Sequence, residues 1–190
     1  MFKDRKDAGE KLARALEKYK NKEVMVLAIP IGGVEVGYQV AKYLNASFSI
    51  LVSRKLPFLD DPEAGFGAIA KDGSTFIFKD TVHWLSKEII DEIIKEQKQE
   101  IKRRIEVLRH GKLLPEIKDK TVVLVDDGIA AGSTMQAAIM LCKNKGAKKI
   151  VVAAPVSGKD VSEEIEKLVD ETIILEKPLF FRAVAQVYRN

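Results

Sequence analysis

The chain has 190 residues, 46% hydrophobic and 32% charged, with a net charge of +4. This composition excludes a disordered or fibrous chain and describes one packed domain, large enough to need no disulfide or metal staple. Cys142 is the single cysteine, which excludes an internal disulfide and a multi-cysteine zinc site, and the excess charge is too small to argue for nucleic acid.

In chain order, Asp4 or Asp7 can cap a first helix with Ala8, Leu12, Ala15, Leu16 and Tyr19 at apolar positions. No apolar signal core follows Met1-Phe2-Lys3-Asp4-Arg5, and no apolar run reaches the ~20 residues that span a bilayer. A cytoplasmic protein without a membrane partner is expected. Val24–Ile29 is a continuous apolar run, read as a strand buried on both faces and ended by Pro30 and Gly32-Gly33. Val36–Leu44 has helical spacing, and Phe48–Val52 reads as the next strand. The Asp72-Gly73 pair between Gly67–Ala70 and Thr75–Phe78 signals a hairpin.

Ser86 to about His110 is the longest helical pattern, with Ile89, Ile93, Ile94, Ile101, Ile105 and Leu108 mostly on one face. Thr121–Val125 and Lys149–Ala154 are further buried strands. Thr134–Lys145 reads as a helix closed by Gly146, Asp160–Val169 as another, and Thr172–Leu175 as a last strand. Strands alternating with helices predict an α/β fold with a central, mainly parallel sheet and flanking helices. Ligands bind such sheets beyond the carboxyl ends of the strands. Attention therefore falls on the loops after Ile29 and Val125.

The second of these loops is the more informative. Asp126 and Asp127 stand where a buried strand ends, and Gly128-Ile129-Ala130-Ala131-Gly132-Ser133-Thr134 leads into a helix. A helix N-terminus lined by small residues cradles phosphate. Adjacent carboxylates can accept hydrogen bonds from ribose hydroxyls or hold magnesium through water. An acid pair beside a phosphate cradle suits a ribose phosphate. The plainer alternative is a polar strand end with Ser133 as helix cap.

This segment resembles the signature of the type I phosphoribosyltransferases, and almost the whole chain is similar to a branch of that superfamily without an assigned substrate. The resemblance extends to Leu27–Gly37, Arg54-Lys55 and Pro178–Tyr188. It implies one such domain, with an inserted hairpin and helical hood at about 54–120, and a homodimer. It further implies that Asp126 and Asp127 bind the ribose hydroxyls of phosphoribosyl diphosphate and reach Mg2+ indirectly. Ala130 to Thr134 would wrap the 5′-phosphate, with Gly128 and Ile129 also among the substrate-binding residues. The turn containing Ile31, Gly32 and Gly33 would face the diphosphate, with Arg54 and Lys55, after the Phe48–Ser53 strand, adding charge. The reaction would transfer ribose 5-phosphate to or from a nucleobase-like acceptor, with a nucleoside monophosphate as the other ligand. The chain departs from the family at Ile31, where relatives tend to carry Arg, and at Ala131, where they often carry Thr. Both changes remove groups that would hold an anion, and both favour the alternative of a non-catalytic nucleotide-sensing regulator that binds RNA, DNA or a protein.

Other signals point elsewhere only weakly. Gly32-Gly33-Val34-Glu35-Val36-Gly37 lacks dinucleotide spacing, and neither a P-loop nor a nucleophile elbow exists. His83 and His110 stand far apart, without clustered ligands. Phe180-Phe181 reads as core, with ring stacking on a nucleobase as the alternative. The charge excess sits in Lys95–Lys112, where Lys102-Arg103-Arg104 is the one segment able to meet a phosphate-rich partner.

Overall fold

The computed structural model describes residues 1–61 and 64–189. Its main sheet has five parallel strands in the order β2-β1-β6-β7-β8. These are β1 (Val24–Ala28), β2 (Ser47–Ile50), β6 (Thr121–Val125), β7 (Lys149–Val156) and β8 (Glu171–Glu176). Helices α1 (Arg5–Ala15), α2 (Gly32–Leu44), α4 (Ser133–Asn144) and α5 (Lys159–Glu166) flank it. The expected α/β architecture is thus present.

Strand alternation divides the apolar runs between two cores. Val24, Val26, Val123, Val125, Val151 and Ala153 pack against Leu12, Leu16, Val36 and Val40 of α1 and α2. Met25, Leu27, Val122, Leu124, Ile150 and Val152 pack against Met135, Ile139, Leu141 and Ile165 of α4 and α5. Both faces are covered, which is why these strands read as unbroken apolar runs.

Between β2 and β6 the chain builds a second, antiparallel sheet: β3 (Ser53–Pro57), β4 (Gly65–Ala70) and β5 (Thr75–Ile77). This sheet lies between α3 (Lys87–Arg109) and α4. Val52, Leu56, Phe66 and Ile69 face Ile93, Ile101 and Ile105 of α3, whereas Ala68 and Ala70 face the α4 core. The hairpin turns at Gly73, whose φ of +89° suits glycine. Ser86 caps α3 by accepting the Ile89 N–H at 3.3 Å, and Asp4 caps α1 by accepting the Asp7 N–H at 2.8 Å.

Two boundaries differ from expectation in ways that affect the site. Helix α2 begins at Gly32 rather than Val36, so Gly32 and Gly33 form its first turn, with Ile31 as N-cap, instead of a free loop. Strand β2 stops at Ile50, and β3 starts after the break at Leu51-Val52, so Arg54 and Lys55 belong to the second, antiparallel sheet rather than to a loop after a core strand. The physical reason is burial: Leu51 and Val52 are both buried, one in each of two different cores, which redirects the chain.

Candidate ribose-phosphate site

Strand order reverses between β1 and β6, the switch point at which open α/β sheets bind ligands. The loop after β1 leads directly into α2, and the loop after β6 carries the acid pair into α4. The two meet closely. A Cβ built on Gly32 would lie 1.9 Å from Oδ2 of Asp127, and one on Gly33 would lie 2.9 Å from Cα of Asp126. Only glycine permits this approach, so the α2 N-terminus rests on both acids. Its positive dipole end favours negative charge there.

The acid-pair loop is fixed by backbone pairing. The Asp126 N–H donates to the Ala153 carbonyl at 3.4 Å, and the Ile129 N–H to the Val156 carbonyl at 2.9 Å. Oδ1 of Asp126 accepts the Asp127 N–H at 2.8 Å. Burial and the neighbouring Asp127 carboxylate push the Asp126 carboxyl well above the usual carboxylate range.

Asp127 has partners that sequence reading missed. Nε of Arg5 donates to its Oδ2 at 2.7 Å, and the Tyr188 hydroxyl donates to its carbonyl at 2.6 Å. The Arg5 guanidinium lies 5.1 Å from the centre of the Tyr188 ring. Arg5 reads locally as an exposed residue of an amphipathic first turn. Nothing in its spacing links it to a loop 122 residues away. Tyr188 ends the Pro178–Tyr188 segment, and nothing in its local sequence links it to Asp127, 61 residues away.

Beyond the acids, Ala130 and Ala131 are exposed and Gly132 adopts a left-handed φ of +82°. Gly132, not Ser133, occupies the N-cap of α4, with no side-chain hydrogen bond. Ser133 is instead the buried first residue of the helix. The N–H groups of a first helical turn lack intrahelical partners, so α4 presents uncapped donors beside the acid pair. Helix α2 is also without a side-chain cap. Two helix N-termini and two carboxylates therefore converge.

The remaining expected residues are dispersed. Ile31 is 75% exposed at the mouth of this region, so it brings neither charge nor packing. Arg54 shares the β3 face of Val52 and Leu56, turned toward α3, where its Nε donates to Oε1 of Gln97 at 3.1 Å. Lys55 alternates to the opposite face, and a Cβ on Gly65 would meet its side chain at 2.5 Å. The structure thus separates this pair. Phe180 is 90% exposed rather than core, while Phe181 packs against Val156 and Val187. Leu179, Phe180 and Phe181 line a cleft of about 410 Å³ with Ala130, Gly158 and Val161, beside the loop that follows the acid pair.

No cluster of three or more His, Cys, Asp or Glu side chains suited to a metal occurs among the described residues. Two carboxylates met by one guanidinium do suit a cation that brings further oxygen ligands of its own.

The fold is that of the type I phosphoribosyltransferases. The phosphoribosyl transferase domain model matches residues 3–189, and the chain belongs to that family. Rv0571c of Mycobacterium tuberculosis (strain H37Rv), provisionally named a phosphoribosyl transferase, is 40% identical over 192 aligned residues, covering 100% of this chain and 43% of the relative. The chain thus spans less than half of that protein. The crystal structure of TT1426 from Thermus thermophilus superposes with a TM-score of 0.82 at 30% identity, covering 100% of this chain and 91% of the other. An adenine phosphoribosyl transferase from Trypanosoma brucei, solved with AMP, pyrophosphate and ribose 5-phosphate, shares the fold at a TM-score of 0.51 and 16% identity, covering 92% of this chain and 71% of the other.

No helix of the described residues is long and apolar enough to cross a membrane.

Proposed function

We propose that this chain is a phosphoribosyltransferase that binds phosphoribosyl diphosphate as its magnesium complex and transfers ribose 5-phosphate to or from a planar, nucleobase-like acceptor in the cytoplasm. The observation that carries this reading is the convergence of Asp126 and Asp127 with the uncapped N-termini of α2 and α4.

Each group has a distinct task. Asp126 and Asp127 accept the two ribose hydroxyls and hold the sugar. The first-turn N–H groups of α4, with the Ser133 and Thr134 hydroxyls, enclose the 5′-phosphate. The α2 N-terminus directs its dipole toward the diphosphate. Magnesium, brought with the substrate, supplies Lewis-acid neutralisation of the departing diphosphate. The C–O bond at the anomeric carbon breaks as the acceptor nitrogen bonds to that carbon, and the nearby carboxylates stabilise the positive charge that develops on the sugar. The cleft containing Phe180 offers a flat aromatic face to the acceptor.

Arg5 has a positioning role in this scheme. It fixes one oxygen of Asp127 and leaves the other for a hydroxyl. Ile31 and Ala131 offer no donor to the two anionic ends, so both bind more weakly than they would to Arg and Thr at these positions.

The test is diphosphate release from phosphoribosyl diphosphate with magnesium and a panel of nucleobases. The expected result is release with at least one base that is abolished by Asp127→Asn. Saturable nucleoside monophosphate binding without release from any base would instead identify a sensor on the same fold.

A further inference from the structure

A second pocket, of about 230 Å³, lies among Leu51, Val52, Leu114 and Leu141, with Lys71, Asp72, Arg109 and Lys145 at its charged side. It shares no lining residue with the acid-pair loop or with the Phe180 cleft. Leu141 and Lys145 belong to the C-terminal end of α4, about 18 Å along the helix from Ser133.

Arg109 sets this pocket apart. The residue is only 7% exposed. Its Nη2 is sealed from solvent and has no hydrogen-bond partner among the described residues. A buried guanidinium is ordinarily paired, because both the charge and the unmade hydrogen bond are costly. Here no carboxylate pairs with it: the ion pairs of the described residues involve neither Arg109 nor Lys71 nor Lys145. Asp72 is the one acid on the rim, and its Oδ1 already accepts the Ser74 N–H at 2.8 Å. Partial burial, and after it the nearby charges of Arg109 and Lys145, hold the Lys71 ammonium below the usual lysine range. Three cations therefore face one carboxylate over an apolar floor.

We infer that this pocket is a binding site for a small organic anion whose phosphate or carboxylate pairs with Arg109, Lys71 and Lys145 and whose apolar body rests on Leu51, Leu114 and Leu141. Arg109 lines the pocket, and a planar guanidinium matches either head group in a bidentate manner. At about 230 Å³ the pocket has room for a compact acid. This inference is independent of the reaction at the acid pair.

The experiment titrates the full chain with phenyl phosphate, benzoate, inorganic phosphate and benzyl alcohol, followed by methyl NMR of Leu51, Leu114 and Leu141. Saturable shifts with phenyl phosphate or benzoate are expected, and the tighter of the two identifies the head group. Inorganic phosphate, without an apolar body, and benzyl alcohol, without charge, bind more weakly. Arg109→Gln weakens the tighter acid at least about tenfold, the effect of losing one charge-assisted hydrogen bond. Lys71→Ala with Lys145→Ala, both on the exposed rim, weakens it several-fold and serves if Arg109→Gln does not fold. Shifts confined to the methyls of Ala130 and Thr134, affinity for benzyl alcohol equal to that for the acids, or affinity unchanged in the variants would overturn the inference.

Discussion

Burial and the neighbouring Asp127 carboxylate raise the pKa of the Asp126 carboxyl, and this has a consequence for stability. Its folded-state pKa is raised, so the folded protein binds more protons than the unfolded chain and loses stability as pH rises through that interval. Asp126→Asn removes the penalty while keeping an oxygen for the Asp127 N–H. The variant is expected to melt at a higher temperature than the parent at neutral pH. The gain should vanish below about pH 4, where the unfolded carboxyl is itself protonated. Thermal denaturation across pH reads this directly; a lower melting temperature at neutral pH would contradict the raised pKa. Gly32→Ala tests the close approach of α2. Its Cβ would overlap Oδ2 of Asp127, so the carboxylate must leave Arg5. A loss of about 1–3 kcal/mol is expected in chemical denaturation, as for other overpacked sites. Ile31 offers the opposite case. It is largely exposed, so Ile31→Arg disturbs no core and should tighten binding of the magnesium–diphosphate substrate by about tenfold, the value of one charge-assisted contact. Calorimetry that shows no gain would remove the turn from the diphosphate site.

Among the elements, helix α4 shows best what local sequence can convey. Its end at Gly146, with φ +74°, and the buried strand before the acid pair were both readable from residue type. Its start was not. Ser133 is a good cap by composition, yet the backbone places Gly132 at that position, because a left-handed residue is needed where the loop passes under α5. A Cβ on Gly132 would lie 2.7 Å from Cγ1 of Val161. Gly132→Ala should therefore cost about 1–3 kcal/mol in a denaturant titration, from backbone strain and contact together. The N-terminus of α2 eluded the sequence for a related reason. Gly-Gly is a poor helix start on propensity, and only the acids packed against it account for its being helical. Arg54 illustrates the limit of strand reading. The break at Leu51-Val52 lies within an apolar stretch, and periodicity cannot tell one strand from two when each residue is buried in a different core. Within α3, Glu100 pairs with both Arg103 and Arg104 and is held down to about 2, so two of the three bases once available to a phosphate-rich partner are already engaged.

At the scale of the whole molecule, the two ends of the described chain meet at the site. The Phe2 N–H donates to the Val187 carbonyl at 2.7 Å, and the Arg189 N–H to the Phe2 carbonyl at 3.1 Å. The Phe2 and Tyr188 rings lie 5.9 Å apart. This clasp brings Arg5 and Tyr188 to Asp127 from opposite ends of the sequence, a contact that no local pattern encodes. Arg5→Met and Tyr188→Phe should each cost about 1 kcal/mol. Because they share Asp127, a double-mutant cycle should show coupling of at least about 0.5 kcal/mol. Strict additivity would mean that the clasp does not act on the acid as a unit. The net charge of +4 is likewise distributed by the fold. The basic half of α3 contains bases paired with Glu100 and one, Arg109, that is buried with its Nη2 unpartnered among the described residues.

The most direct test of the central claim is calorimetric titration of phosphoribosyl diphosphate with magnesium into the parent chain and into Asp127→Asn. We expect saturable binding at one site per chain in the parent and at least about tenfold weaker binding in the variant, because a carboxylate that accepts a ribose hydroxyl is lost. Equal affinity in both proteins would show that the acid pair does not hold the ribose.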